Sequence, residues 1–561
     1  MLKELLSMAF VLILMTTSAQ QLCENGIAAG QYPCENIDLY AHLDIADLGG
    51  GNVEMNDIWG WTDPSSGREF VVLGKTSGTS FIEITDPLNP IYLGDLATHT
   101  VSSLWRDVKV YDHYAFIVSE AGGHGMQVFD LEQLLTVVAP PVAFAESAHY
   151  DLFGNAHNIV INESVARAYA VGTNTFSGGL HIIDISDPLN PAIMGDYATD
   201  GYTHDAQVVT YNGPDVAYQG MEIAINCNED AVTIANVDDP TDTQTLSITA
   251  YANSSYTHQG WLTDDHTHLL VNDELDETNN GTNTRTFIFD VSDLDAPVFM
   301  GFYESTTAAI DHNHYVDKNL LYQANYRAGL RILDIQDVAN TNVSEVAYFD
   351  MYPSSNSNAF NGAWSNYPYF PSGVLAVSHI ESGLFLLRPQ FVHASATEEL
   401  VCFEDDYVID ISVEAGFVGP VALSVTQGLP PGAVATFSAN NVGPGNYTLT
   451  LNNLPQGGGT FDLVVEAIGA NFTYSDQLTF EVYDCVNDVL GCTDNTATNY
   501  NPLATIDDGT CVFPCIDYTL TILSDDYPEE TTWTVTDEND LVVESGGPYV
   551  GDQTVFTETF C

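Results

Sequence analysis

Leu180-His181-Ile182-Ile183-Asp184-Ile185-Ser186-Asp187-Pro188-Leu189-Asn190-Pro191 repeats, nearly unchanged, the earlier stretch Ile82-Glu83-Ile84-Thr85-Asp86-Pro87-Leu88-Asn89-Pro90. Weaker copies follow at Ile288-Phe289-Asp290-Val291-Ser292-Asp293 and Ile332-Leu333-Asp334-Ile335-Gln336-Asp337. With Val128-Phe129-Asp130 and Ile234-Ala235-Asn236, the equivalent Ile or Val stands at 82, 128, 182, 234, 288 and 332, and Leu384-Phe385-Leu386-Leu387 supplies a seventh copy. The period is roughly fifty residues, longer than the ~20–30 of a parallel β-helix. Inside each period, short β-branched or aromatic runs are broken by Gly, Asp, Asn and Pro, which is strand-and-turn chemistry without helical periodicity. One such unit cannot bury both of its faces, but four-stranded units arranged radially can. The expected fold is all-β: a seven-bladed β-propeller over 54–390, followed by smaller β-modules.

The 561 residues carry 77 Asp plus Glu against 11 Lys plus Arg, a formal charge of −66. That balance excludes nucleic acid as a partner, because phosphate binding needs a cationic footprint. Disorder is excluded too, since hydrophobic residues make up 45% and aromatics 11%, and the acids are spread rather than blocked. At about 150 residues per domain the length suits three or four domains.

The repeats also carry a resemblance. Leu180 to Ile185 and Leu330-Arg331-Ile332-Leu333-Asp334-Ile335 resemble LVIVD repeats, and the run from Cys34 through Asn56-Asp57-Ile58-Trp59-Gly60 to Arg388 is similar to the choice-of-anchor B family of secreted bacterial proteins. The resemblance covers about 22–390. That family is named for its variable sorting signals, so the likeness implies a secreted or cell-surface propeller and no particular reaction.

Export is also read from the N-terminus. One Lys, an apolar run from Leu5 to Met15 and Thr17-Ser18-Ala19 form a signal peptide over 1–19, with cleavage after Ala19. The run is too short to span a membrane, and Leu22 before Cys23 is poor for a lipid anchor. In an exported chain the clustered cysteines are expected to pair locally: Cys23 with Cys34 in an N-terminal segment 20–53, Cys402 with Cys485, Cys492 with Cys511, and Cys515 with Cys561. Cys227 is left over as a buried small side chain.

Aligning the opening strand of each period puts Asn56, Arg106, His157, His204, His258, His312 and Asn361 in one register, followed by Asp57, Asp107, Asn158, Asp205, Gln259, Asn313 and Gly362. First strands line a propeller's channel, so each register becomes a ring around the axis. The ends of the second strands are expected at the same mouth, adding Glu120, Thr173, Glu222, Asp273 with Glu274, Asn325 and His379. His314, two residues beyond His312, is expected on the same face. Imidazoles with carboxylates are ligand types for a divalent transition metal such as Zn, Mn or Fe. Shared descent of the repeats and a solvated channel lining explain such a ring equally well.

Beyond Arg388, residues 395–485 alternate as strands, and Gly428-Leu429-Pro430-Pro431-Gly432-Ala433 resembles immunoglobulin-like sandwich modules of secreted bacterial proteins. Residues 486–514 form a stapled linker repeat, similar to thrombospondin type 3 repeats, in which Asp494, Asp507 and Asp508 offer oxygen ligands for Ca²⁺ or serve as ordinary turn residues. Residues 515–561 read as the opening half of another β-rich module. No nucleophile–base motif and no phosphate-cradling loop is present. The expected function is therefore a binding or adhesion module for an unidentified extracellular ligand. The alternatives are a metal-dependent enzyme at the channel mouth and a purely structural surface protein.

Overall fold

The computed structural model describes residues 20–396 and 400–513, and in the C-terminal stretch 518–523, 532–536, 542–547, 549 and 555–560. The expected signal peptide, Cys515 and Cys561 lie outside these residues.

Each copy of the repeat forms the third strand of a sheet: Gly78–Glu83, Met126–Asp130, Leu180–Asp184, Val232–Asn236, Arg285–Asp290, Leu330–Asp337 and Gly383–Pro389. The corresponding first strands are Met55–Thr62, Arg106–Tyr111, Asn158–Asn162, Asp205–Thr210, Thr257–Leu262, His314–Asp317 and Ala363–Tyr367. Four antiparallel strands make up the core of every sheet, and no sheet among the described residues closes on itself. The first strands instead neighbour one another in chain order, and the seventh returns to the first.

The repeat reads as a continuous apolar run because both faces of its strand are covered. Leu180, Ile182 and Tyr169 of the third sheet, for example, share a buried core with Val208, Ala224 and Ala235 of the fourth. The Asp-Pro-Leu-Asn segments are turns built identically in two copies. Asp86 accepts from the Asn89 side chain, and Asp187 from that of Asn190, each at 3.0 Å.

The fourth strand then bulges beside Ile82, Ile182, Ile234, Ile288 and Ile332. At the third-sheet bulge Gly195 lies so close to the next sheet that a Cβ would sit 1.8 Å from the Pro240 carbonyl oxygen. Gly195→Ala should thus cost about 1–3 kcal/mol in urea denaturation. Gly122→Ala, where a Cβ meets nothing within 4 Å, should be neutral.

The sequence reading set residues 20–53 apart, but Ile37–Leu43 is the fourth strand of the seventh sheet, antiparallel to Gly383–Pro389. A ring needs one sheet shared between chain ends, and periodicity within the repeats does not reveal which end contributes. Cys23 and Cys34 are joined just ahead of this strand, and Tyr32–Glu35 pairs with the sixth sheet.

Two further four-stranded sheets follow. One orders Val392–Ser395, Tyr407–Val413, Gly445–Asn452 and Val434–Phe437; the other Leu400–Cys402, Thr473–Tyr483, Gly459–Ile468 and Ala422–Gln427. Ile409, Ile411, Leu449, Leu463 and Val465 pack between them. This unit rests on the sixth sheet, where the Lys318 ammonium lies 4.2 Å over the Phe472 ring. Cys402–Cys485 and Cys492–Cys511 are bonded, and Cys227 is free and buried.

Candidate functional site

Four imidazoles gather at the start of successive first strands. Ring centroids are 4.2 Å apart from His157 to His204, 4.2 Å from His204 to His258 and 4.5 Å from His258 to His312. Glu274, one residue past the second strand of the fifth sheet, faces the last two: its Oε2 is 3.9 Å from His258 Nε2 and its Oε1 is 3.7 Å from His312 Nε2. Tyr326 donates its hydroxyl to the same carboxylate at 2.9 Å. Tetrahedral coordination at roughly 2.0–2.1 Å requires ligand atoms about 3.3 Å apart, so these three would have to draw closer to fill three of its four positions.

Acceptors at Nδ1 orient three of these rings, two of them through backbone carbonyls. His204 Nδ1 pairs with the His258 carbonyl oxygen at 3.0 Å and His312 Nδ1 with that of Trp364, while His157 Nδ1 meets the Glu120 carboxylate at 2.6 Å. An acceptor at Nδ1 fixes the proton there and turns the Nε2 lone pair outward, the arrangement found behind metal-bound histidines. Burial, with neighbouring imidazoles adding to it, holds His204 and His258 well below the ordinary histidine range, and burial takes His312 down to about 3. All three are neutral at pH 7. Burial also lifts Glu274 to about 7.

Other predicted members stand elsewhere. Arg106 is buried between sheets, bonded to His124, Thr98 and the Lys75 carbonyl, and burial lowers its pKa to about 10. Glu222 begins rather than ends the strand Glu222–Cys227, so it lies at the end away from the mouth, paired with Arg167 and Asn162. Asp273 is spent on the backbone N–H groups of Ser255 and Tyr256 and on the Tyr251 hydroxyl. His314 bonds to the Leu270 carbonyl; residues 311–313 precede the strand, so strand alternation does not relate it to His312. His379 faces Glu381, and Asn361 faces Arg327 and Glu381. Asp494, Asp507 and Asp508 each close a local turn, through Thr496, Gly509 and Thr510, and do not converge.

The second register forms a buried layer. Lys109 Nζ contacts Asp107 at 2.6 Å and lies 4.7 Å over the Trp59 ring, with Asp57 and Asp205 nearby. Burial opposes the ammonium, but Asp107 foremost, then Tyr315, Asp57 and Asp205, outweigh it and raise its pKa. Burial lifts Asp205 to about 7 and Asp57 well above its ordinary value. A carboxyl whose folded pKa is raised takes up protons on folding, so its contribution to stability falls as pH rises from about 4 to 7. In chelator, the melting temperature of Asp205→Asn relative to the parent should therefore rise between pH 5 and pH 8, because only the parent carries the cost of ionising that buried carboxyl. Beyond this layer, Trp59, Trp261, Tyr367 and Tyr369 border a cavity of about 370 Å³. The sequence reading stopped one layer short of these aromatics, two residues on from Asp57 and Gln259.

A family model for the LVIVD repeat matches residues 173–199. No curated protein matches the chain. Among solved structures it is similar to the extracellular domain of BT4673 from B. thetaiotaomicron, at 10% identity over 79% of this chain and 57% of that one, with a TM-score of 0.39. It is similar also to PorZ, a surface component of the type-IX secretion system of Porphyromonas gingivalis, at 12% identity over 74% and 58%, with a TM-score of 0.42. A functionally unknown protein from Desulfotomaculum acetoxidans aligns at 12% identity over 58% and 89%, with a TM-score of 0.37. The chain thus spans less than three-fifths of the first two. No helix among the described residues is long and apolar enough to cross a membrane.

Proposed function

We propose that this is an exported, surface-displayed binding protein in which residues 37–389 form a seven-bladed LVIVD-repeat propeller whose histidine mouth binds a divalent transition metal. The immunoglobulin-like unit and the stapled linker act as spacers toward an anchor. The observation that carries the metal reading is the orientation of the rings: acceptors at Nδ1 of His204 and His312 leave Nε2 free, and His258, Glu274 and His312 offer ligand atoms all within 4.8 Å of one another. Three protein ligands leave a fourth position open, which an extracellular ligand's own carboxylate or imidazole would fill. Three disulfides accord with an oxidising compartment, and the −66 charge with a soluble surface in salt.

The test is calorimetric titration of chelator-stripped protein with Zn²⁺, Mn²⁺ and Ni²⁺ at pH 7.5. One equivalent of Zn²⁺ should bind at or below micromolar concentration. Failure of every metal to bind stoichiometrically would remove the reading and leave a solvated channel lining.

A further inference from the structure

Just past Glu274 the chain buries more acid than its surroundings satisfy. Asp276 and Glu277, which open the short helix Asp276–Asn280, are each 1% exposed, and Asp311 is 0% exposed. Neither carboxylate oxygen of Asp276, neither of Glu277, nor Oδ1 of Asp311 has a hydrogen-bond partner. Oδ2 of Asp311 receives only the Asp273 N–H, at 3.4 Å. The hydroxyl of Thr282 is turned toward Asp276. The nearest cation is Arg285, 4.0 Å from Asp276, and it is already turned toward Glu304 at 3.5 Å and stacked over the Phe302 ring.

Buried carboxylates without partners cost several kcal/mol each unless a proton or a cation compensates them. Native proteins leave few such groups, and an unrecorded ion is one of the standard resolutions. The ligand set here is oxygen throughout, which selects a hard cation over Zn²⁺ or Cu²⁺. Mg²⁺ keeps several waters and demands an octahedron, whereas Ca²⁺ accepts many protein oxygens in irregular geometry, as this enclosed site requires. We infer that Asp276, Glu277 and Asp311, with the Thr282 hydroxyl, form a Ca²⁺ site between the loop after the fifth sheet's second strand and the segment leading into the sixth sheet.

These carboxylates are spaced more widely than the His258–Glu274–His312 group, whose ligand atoms all lie within 4.8 Å of one another. An ion would have to draw them together. The site is distinct in chemistry from the histidine mouth but adjacent in chain: Asp276 is two residues from Glu274, and Asp311 precedes His312. Calcium would therefore tie together the two segments that carry those mouth residues.

The experiment is scanning calorimetry of the full chain stripped with EGTA, with and without 5 mM CaCl₂, and with 5 mM MgCl₂ in parallel. Calcium should raise the melting temperature of the repeat region by about 5 °C and magnesium by much less. Glu277→Gln removes a buried charge, so in EGTA it should melt no lower than the parent while losing the calcium response; Asp311→Asn should lose it too. No shift and no calcium uptake by the parent chain would overturn the site. An undiminished response in both variants would overturn it equally, placing the ion elsewhere, for instance at the Asp494, Asp507 and Asp508 turns. The His258→Ala, His312→Ala double variant should keep the full calcium response, so failure of the transition-metal reading leaves this inference standing.

Discussion

Replacing His258 and His312 together by alanine should lower affinity for Zn²⁺ at least a hundredfold, with far-ultraviolet circular dichroism unchanged. The two rings supply two of the three ligand atoms that stand within coordination reach of one another, and Glu274 alone is left to hold the ion. Tyr326→Phe separates support from ligation. It deletes only the hydroxyl that donates to Glu274, so affinity should fall about tenfold, as for other groups that orient a ligand from behind. If the double variant binds Zn²⁺ as the parent does, the ion sits elsewhere and the mouth is not the site.

Lys109→Met should cost about 3–5 kcal/mol of unfolding free energy, the largest loss expected from any single change in the channel. The ammonium is buried, and it is the cation in contact with Asp107 in a layer that also holds Asp57 and Asp205. Methionine keeps most of the stem packing against Trp59 but leaves the Asp107 carboxylate without its partner. Asp107 also accepts the N–H groups of Val108 at Oδ1 and of Ile159 at Oδ2, and Asp107→Asn keeps one of these two bonds while removing the buried charge. The double variant Lys109→Met, Asp107→Asn should recover most of the lost stability in urea denaturation. A single variant within 1 kcal/mol of the parent would show that the layer is hydrated rather than dry.

Much of the molecule was legible because its repeats obey simple periods. The Ile182 motif marks a strand covered on both faces, and its copies marked all seven sheets of the ring. The aligned first strands placed His157, His204, His258 and His312 together as expected. What failed was direction and local geometry. Glu222 looked equivalent to Glu120 because both are acids near a second strand, but Glu120 follows its strand, whereas Glu222 opens its own after the long connection from Tyr211 to Met221. Asp273 looked like a ligand, yet its carboxylate holds the turn while its neighbour Glu274 reaches the rings. Such a choice between adjacent acids depends on which side chain the turn consumes, and periodicity carries no information about that. The buried group of Asp276, Glu277 and Asp311 was invisible for another reason. In a chain so rich in acid, three more carboxylates stand out only when burial is known.

The pairing of Ile37–Leu43 with Gly383–Pro389 also sets an order of events. The final sheet lacks its outer strand until residues some 340 positions apart are both available, so the ring cannot shut until its last repeat is in place. Until then Gly383–Pro389 offers an unpaired edge, a template for pairing with another molecule. Truncation before residue 383 would leave Ile37–Leu43 with the same problem at the other end. The Cys23–Cys34 bond and the pairing of Tyr32–Glu35 with the sixth sheet lie just ahead of that strand and restrict where it can sit before its partner arrives.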